Sequence, residues 1–177
     1  MFDKNVPQRL HVNHRQDLRG VHSKFFMTED ERPTADDFQI RETFMTTNNK
    51  NVMRGMHFQV KTPQTKILTC VSGSAQVKTI ALDSLNSSEP EIHTFFMTGY
   101  VEDLSQLYIP GDYALGYLVY DDLTKMLYMT DGDFDPENDS GVHPFSHQID
   151  WQVNESEVIL SNRDRSLPTI DEFIDFR

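Results

Sequence analysis

A histidine and an arginine three residues apart in an otherwise apolar, strand-like run are the first side chains in this sequence that ask for chemistry. The run is Val52-Met53-Arg54-Gly55-Met56-His57-Phe58-Gln59-Val60. Charges are rarely buried without a partner, so a guanidinium and an imidazole here call for an anionic ligand, a carboxylate or a reacting group. Strict alternation puts Arg54 and His57 on opposite faces of a strand, and Gly55 between them is where a bulge or a close backbone approach would re-aim one of them. Further along, Lys66 is in register with Leu68 and Cys70, so an ammonium shares a face with residues expected to point inward. Tyr128 shares a face with Met126 and Thr130, and Asp164 follows the run Val158-Ile159-Leu160-Ser161 at the end of a last strand. A histidine, a lysine, a tyrosine and a carboxylate converging inside a barrel are the parts needed to take a proton from carbon next to a carbonyl. Each also has an ordinary reading: His57 as a satisfied core histidine, Lys66 as a rim lysine with its stem on apolar surface, Tyr128 as core, Asp164 as a surface ion pair with Arg163 or Arg165.

The elements that must position these residues read as β-strands. Residues 39–46, the run 52–60, residues 66–71, 75–82, 91–97, 106–109, 113–120 and 125–130 are short runs bounded by Pro, Gly, Asn or Asp. Asn48-Asn49 reads as a turn, and the Ser72-Gly73-Ser74 link makes 66–71 and 75–82 a hairpin. Residues 1–17 are polar and mixed, an N-terminal arm ordered only by packing on something else, with a turn at Asp17-Leu18-Arg19-Gly20. The short apolar stretch Phe25-Phe26-Met27 precedes a loop or single helical turn from Thr28 to Asp37, and 131–147 is a long irregular segment. Leu167, Ile170, Phe173 and Ile174 recur at helical intervals, with Thr169 as a cap. The spacing predicts one all-β domain over residues 1–177, a sandwich or barrel with a short C-terminal helix.

A formal net charge of -12 argues against nucleic acid or an anionic membrane surface as a partner, because both need a basic footprint. An anionic small molecule remains open, since charges beyond about 8 Å are screened at physiological salt. The lone cysteine, Cys70, allows no intrachain disulfide. Residues 1–7 lack the basic and apolar regions of a secretory signal, and no apolar run approaches the ~20 residues of a membrane span, so a cytoplasmic protein is expected.

Between about Asp17 and Thr169 the sequence resembles the dTDP-4-dehydrorhamnose 3,5-epimerase family of small cupin barrels. Residues 52–59 resemble the family's Val-Leu-Arg-Gly-Leu-His-Tyr-Gln signature, and 66–73 its Lys-Leu-Val-Arg-Val-Val-x-Gly segment. Asp17-x-Arg19-Gly20, Leu107-Tyr108-Ile109-Pro110, Leu127-Tyr128 and Leu160-Ser161-x-x-Asp164-Arg165 follow in the family's order. The resemblance implies an antiparallel jelly-roll barrel that epimerises a nucleotide-linked 4-keto-6-deoxy sugar at C3, C5 or both, without a cofactor. It implies His57 as base with Asp164 bonded to it, Lys66 facing the C4 oxygen as it becomes an enolate, and Tyr128 as proton donor on the other ring face. Arg54 and Arg19 match residues that hold the diphosphate, and Gln59 is placed with them on the substrate-binding side. A homodimer, with the N-terminal arm reaching the partner's sheet or pocket, is also implied.

The departures bear on the pocket rather than on the reaction. Residues 112–117, Asp-Tyr-Ala-Leu-Gly-Tyr, stand where the family usually reads Gly-Phe-Ala-His-Gly-Phe, so Leu115 replaces a second histidine. Phe134 replaces a second tyrosine, His22 and Lys24 stand for Phe and Glu, and Glu42 and Phe44 lie where Gln and Asn often bind thymidine. Lost polar groups of this kind are what a catalytically inactive nucleotide-sugar binding or scaffolding barrel would show, and that is the alternative function. A metal-dependent cupin would need a second histidine two residues after His57, where Gln59 stands, and His143 and His147 lie in a Pro-containing loop. No metal site is therefore expected.

Overall fold

The computed structural model describes residues 2–25, 33 and 38–175. The strands are β1 (Gln8–His11), β2 (Asn13–Asp17), β3 (Gly20–Lys24), β4 (Glu42–Asn48), β5 (Met53–Gln59), β6 (Lys66–Ser72), β7 (Ser74–Ala81), β8 (Ile92–Thr98), β9 (Ser105–Ile109), β10 (Tyr113–Val119), β11 (Thr124–Thr130) and β12 (Asp139–Gly141). Two short helices follow, α1 (Asn162–Arg165) and α2 (Ile170–Asp175). One five-stranded sheet runs β1-β9-β6-β11-β4, a second runs β12-β5-β10-β7-β8, and β2-β3 forms a separate two-stranded sheet. All strand pairings within the sheets are antiparallel.

Alternation decides what each sheet buries. Leu68, Cys70, Val77, Leu115, Tyr117, Met126 and Tyr128 point between the two large sheets and form the barrel core. The opposite face of the second sheet is also apolar, through Met53, Met56, Phe58, Ile80 and Leu118. A sheet apolar on both faces needs a cover, and the C-terminal segment supplies it with Val142, Ile149, Trp151, Leu160 and Ile170. Fully burying each such side chain stabilises by about 1.5–3 kcal/mol, so this segment is fixed tightly enough to carry a functional residue.

The all-β architecture and C-terminal helix are as expected, with several local differences. Residues 66–72 and 74–81 do not pair as a hairpin. β6 joins the first sheet and β7 the second, so Gly73 (φ +79°) turns the chain across the barrel instead of along one sheet. A Cβ there would lie 2.2 Å from Thr124 Oγ1, and this close approach explains why the link needs glycine. The segment before Asp164 makes only an isolated parallel bridge, Val52 to Ile159, and Asp164 itself sits on α1. The N-terminal arm is more ordered than expected, with β1 on the edge of the first sheet and β2-β3 a hairpin about the Leu18-Arg19 turn. The first β4 residues expected, 39–41, precede the strand, and the turn falls at residues 50–51 rather than at Asn48-Asn49. Thr169 caps α2 reciprocally with Glu172: Thr169 N donates to Glu172 Oε2 at 2.8 Å, and Glu172 N to Thr169 Oγ1 at 3.3 Å. The stretch Phe25-Phe26-Met27 and the segment Thr28–Asp37 lie outside the described residues apart from Phe25 and Pro33. Among the described residues no helix is long and apolar enough to cross a membrane.

Candidate active site

The cavity of about 270 Å³ between the two sheets is lined by residues from six strands, β4, β5, β6, β10, β11 and β12, and from α1. On β5 the expected displacement occurs at Gly55. His57 stands opposite Leu115 and Arg54 opposite Tyr117, so β5 spends three residues where β10 spends two. The extra residue is a bulge, and it turns a spacing of three into a shared face: Arg54, His57 and Gln59 all line the cavity while Met53 and Met56 pack on the outer side. Gly55 (φ +113°) lies so close to β10 that a Cβ would fall 2.5 Å from Gly116 Cα, and only glycine permits this approach.

His57 Nε2 lies 2.6 Å from Asp164 Oδ1. Asp164 is 3% exposed and is delivered by α1, whose Ser161 cap accepts from Asp164 N at 3.0 Å. Burial pushes the Asp164 carboxyl up, but hydrogen bonds from His57 and Ser161 and the charges of His57 and Arg163 overcome it and hold the group below its ordinary value. An ionised carboxylate only accepts, so the hydrogen of the short contact belongs to His57 Nε2 and the lone pair of the neutral ring sits on Nδ1. Arg163 Nη1 stands 3.3 Å from the same Nε2, and its Nη2 pairs with Asp139 Oδ2 at 2.6 Å. With Nε2 carrying a hydrogen, the Arg163 contact places a charge beside the ring without a hydrogen bond.

Lys66, the first residue of β6, lines the cavity and donates from Nζ to Gln64 O at 2.9 Å. Burial lowers its pKa to about 8, and the carboxylates of Asp131 and Asp139 keep it from falling further. Tyr128 is 8% exposed, with its ring stacked on Phe44 at 4.6 Å. Burial holds its phenol well above the usual range, the neighbouring Tyr117 adds to this, and Arg54 opposes it. Arg54 Nε donates to Asn48 Oδ1 at 2.8 Å. Gln59 Oε1 accepts from Asp135 N at 2.9 Å, which leaves its buried Nε2 without a partner. A buried amide donor left open on a cavity wall is suited to a ligand hydroxyl or carbonyl.

His57, Asp164, Lys66, Tyr128, Arg54 and Gln59 are thus brought together, and Arg19 is not. It sits at the tip of the β2-β3 hairpin, 89% exposed at its side chain and paired with Asp17 at 2.6 Å. Of the departures from the family pattern, Leu115, Phe134 and Phe44 line the cavity. Sequence reasoning missed Tyr117, Thr46, Asp139 and Arg163. Tyr117 was reachable from its two-residue spacing to Leu115, whereas Asp139 lies in a segment with no periodic signal. Among the described residues no group of three or more His, Cys, Asp or Glu side chains is gathered to hold a metal. His143 lies 3.9 Å from Glu155 and His147 3.2 Å from Asp171, each a separate pair.

Comparison with known proteins points to one family. A sequence profile for dTDP-4-dehydrorhamnose 3,5-epimerase matches residues 8–172. The dTDP-4-dehydrorhamnose 3,5-epimerase of Escherichia coli strain K12 is 34% identical over 130 residues, 72% of this chain and 69% of that one. The enzyme of the same description from Mycolicibacterium smegmatis is 29% identical over 164 residues, 89% of this chain and 78% of that one. Among solved structures, a dTDP-6-deoxy-D-glucose-3,5-epimerase from Legionella pneumophila Philadelphia 1, in complex with dTDP-4-keto-L-rhamnose, superposes with a TM-score of 0.79. It is 20% identical, covering 93% of this chain and 88% of that one, and so speaks to the fold.

Proposed function

Because the chain belongs to the dTDP-4-dehydrorhamnose 3,5-epimerase family, we propose that it epimerises a nucleotide-linked 4-keto-6-deoxy sugar by removing a proton next to the C4 ketone and returning one to the opposite ring face. The observation that carries this reading is the 2.6 Å His57–Asp164 pair in a cavity that Lys66 and Tyr128 also line. His57 takes the proton from C3 or C5. Asp164 holds the imidazole in the tautomer that can accept and stabilises the imidazolium that forms. Lys66 directs its charge at the C4 oxygen as enolate character develops, and Tyr128 returns a proton from the other side. The ketone itself makes the carbon acidic, so none of these steps calls for a metal or a redox cofactor.

Arg54 is suited to the diphosphate, since a guanidinium matches phosphate oxygens in pairs, and the open Gln59 amide to a polar group of the sugar. The comparisons give the inactive, scaffolding alternative no support. We place the protein in the cytoplasm as a single domain and as a homodimer. The β2-β3 hairpin pairs with neither large sheet and carries Leu18 and Arg19 fully into solvent, so an arm reaching a partner's cavity would bring Arg19 to the phosphates there. Light scattering is expected to return twice the 20.6 kDa chain mass. A monomer would remove Arg19 from the substrate-binding set.

Incubation with such sugars in deuterated solvent is expected to place label at C3, C5 or both, read by NMR, which also tells which centre is inverted. No label across dTDP-, GDP-, UDP- and CDP-linked sugars would sink the assignment. Tyr128→Phe is expected to keep the exchange while inversion falls about 10²-fold, the ordinary scale of a positioned general acid. Equal loss of both would remove Tyr128 as the donor.

A further inference from the structure

Two consecutive residues of α1 reach the same nitrogen of the base with opposite charges. Asp164 Oδ1 lies 2.6 Å from His57 Nε2, and Arg163 Nη1 lies 3.3 Å from it. The guanidinium is held from its other side, where Nη2 pairs with Asp139 Oδ2 at 2.6 Å. Asp139 is fixed in turn by β12, which sets it opposite Gln59 on β5. Asp164 is buried, Asp139 is partly buried and Arg163 is half-exposed, so the carboxylates are the anchored partners and the guanidinium faces solvent at the cavity edge.

An ionised carboxylate against an imidazole favours the protonated ring. That suits the imidazolium formed in the reaction, but it equally favours a ring that has already taken a proton from water, and such a ring cannot act as a base. Most of the other charged groups around the cavity are turned elsewhere. Arg54 on β5 donates to Asn48 and Lys66 on β6 to Gln64 O, while β10 and β11 bring the hydroxyls of Tyr117 and Tyr128. Asp139 on β12 adds a second negative charge, bound to Arg163. Among the described residues Arg163 is therefore the cation in contact with the ring. It makes no hydrogen bond there, because Nε2 already carries the hydrogen given to Asp164, so what it brings is charge. A like charge this close disfavours a second proton on the ring.

We propose that Arg163, held by Asp139, is a positioning residue that acts through His57, its charge offsetting the pull of Asp164 so that the ring meets the substrate unprotonated. The inference rests on the epimerase reading above. When the substrate proton is taken, the C–H bond breaks, an N–H bond forms at Nδ1 and the electron pair passes to the C4 oxygen. Two demands on the base are thus met by two neighbouring side chains. Asp164 fixes the tautomer and holds the imidazolium, and Arg163 limits proton uptake from solvent. The same guanidinium helps keep Asp164 ionised, so the arrangement that frees Nδ1 also secures the hydrogen on Nε2.

Titration of the His57 ring by NMR, in protein carrying labelled histidine and no substrate, reads proton uptake directly. Its signal among the seven histidines is the one missing from His57→Ala. In Arg163→Met the midpoint is expected to rise by about one pH unit, the low end for a charge at this distance because the side chain is 46% exposed. Exchange of the substrate proton is expected to follow, about tenfold below wild type on the acid side of the midpoint, with the loss closing as pH rises and carried by kcat rather than KM. Arg163→Lys keeps the charge and is expected to restore most of both. Thermal unfolding checks that the variants fold. A ring titration unchanged in Arg163→Met, an exchange loss equal at every pH, or a raised KM with a steady midpoint would overturn the proposal while leaving the epimerase reading standing. Wild-type protein that exchanges no keto sugar would overturn the epimerase reading and with it the role given to Arg163, even where the ring titration moves.

Discussion

His57→Ala is expected to lower exchange at the carbon next to the ketone by about 10³–10⁴-fold while leaving the folded state in place. The size follows from geometry. His57 is the cavity residue whose ring has a lone pair directed by a fixed partner, because the 2.6 Å bond to Asp164 consumes Nε2 and leaves Nδ1. The side chain is 31% exposed and lies outside the apolar clusters, so its removal opens the cavity without emptying the core. Asp164→Asn should cost nearly as much by a different route. An amide in that place can donate its hydrogens to the imidazole, which then presents the wrong nitrogen protonated, although the packing is almost unchanged. Because Asp164 is held below its ordinary pKa, its charge persists through the whole range above the usual carboxylate value, and an acid-side loss of rate near neutrality does not report on it. Exchange measured by NMR on both variants, with thermal unfolding as the control for folding, decides the matter. More than about a tenth of the wild-type exchange left in His57→Ala would show that another group removes the proton.

The same two residues show what a linear reading can reach. Arg54 and His57 stood out because both are costly in an apolar strand, and Gly55 between them named the place where the strand would bulge. That is local chemistry, and it survives translation into three dimensions. Lys66 and Tyr128 were reachable through two-residue periodicity alone. The hairpin expected at Ser72-Gly73-Ser74 failed because a short glycine link is compatible with pairing in one sheet and with crossing between two, and the strand it feeds, not the link, decides. Asp139 and Arg163 were invisible for a related reason. Each lies in a short, aperiodic segment, and their 2.6 Å pairing beside His57 depends on how β12 docks on β5 and how α1 docks beneath both. Tyr117 lay on a recognised strand, but its hydroxyl meets Thr46 only through the way β4 closes on the barrel, which no local pattern announces.

Lys66→Met is expected to reduce inversion and exchange together by about 10³-fold, the upper range for removing a group aimed at a developing oxyanion. The loss falls on both because the enolate forms before either outcome is decided. The pH dependence makes the assignment sharper. With a pKa lowered to about 8 by burial, the ammonium is present below that pH and is lost as pH rises through it, so wild-type kcat/KM should fall on the alkaline side with a midpoint near 8. Tyr128 cannot produce that limb, since its phenol ionises well above the usual range. Asp139→Asn should move the limb to lower pH, because the Asp139 carboxylate is one of the charges that keep the Lys66 pKa from falling further. Lys66→Arg, whose guanidinium stays charged, should abolish the limb even where the altered geometry slows the reaction. Stability should move the opposite way to activity. The unfolded chain binds the Lys66 proton up to about pH 10.5 and the folded one only to about 8, so the buried charge destabilises the fold below pH 8 and this cost is relieved between the two values. Lys66→Met should therefore unfold at a higher temperature than wild type at neutral pH, and the difference should shrink as pH is raised above 8. An alkaline limb unchanged in Lys66→Arg, or a methionine variant less stable than wild type at neutral pH, would show that the lysine is a rim residue and not the cation held for the C4 oxygen.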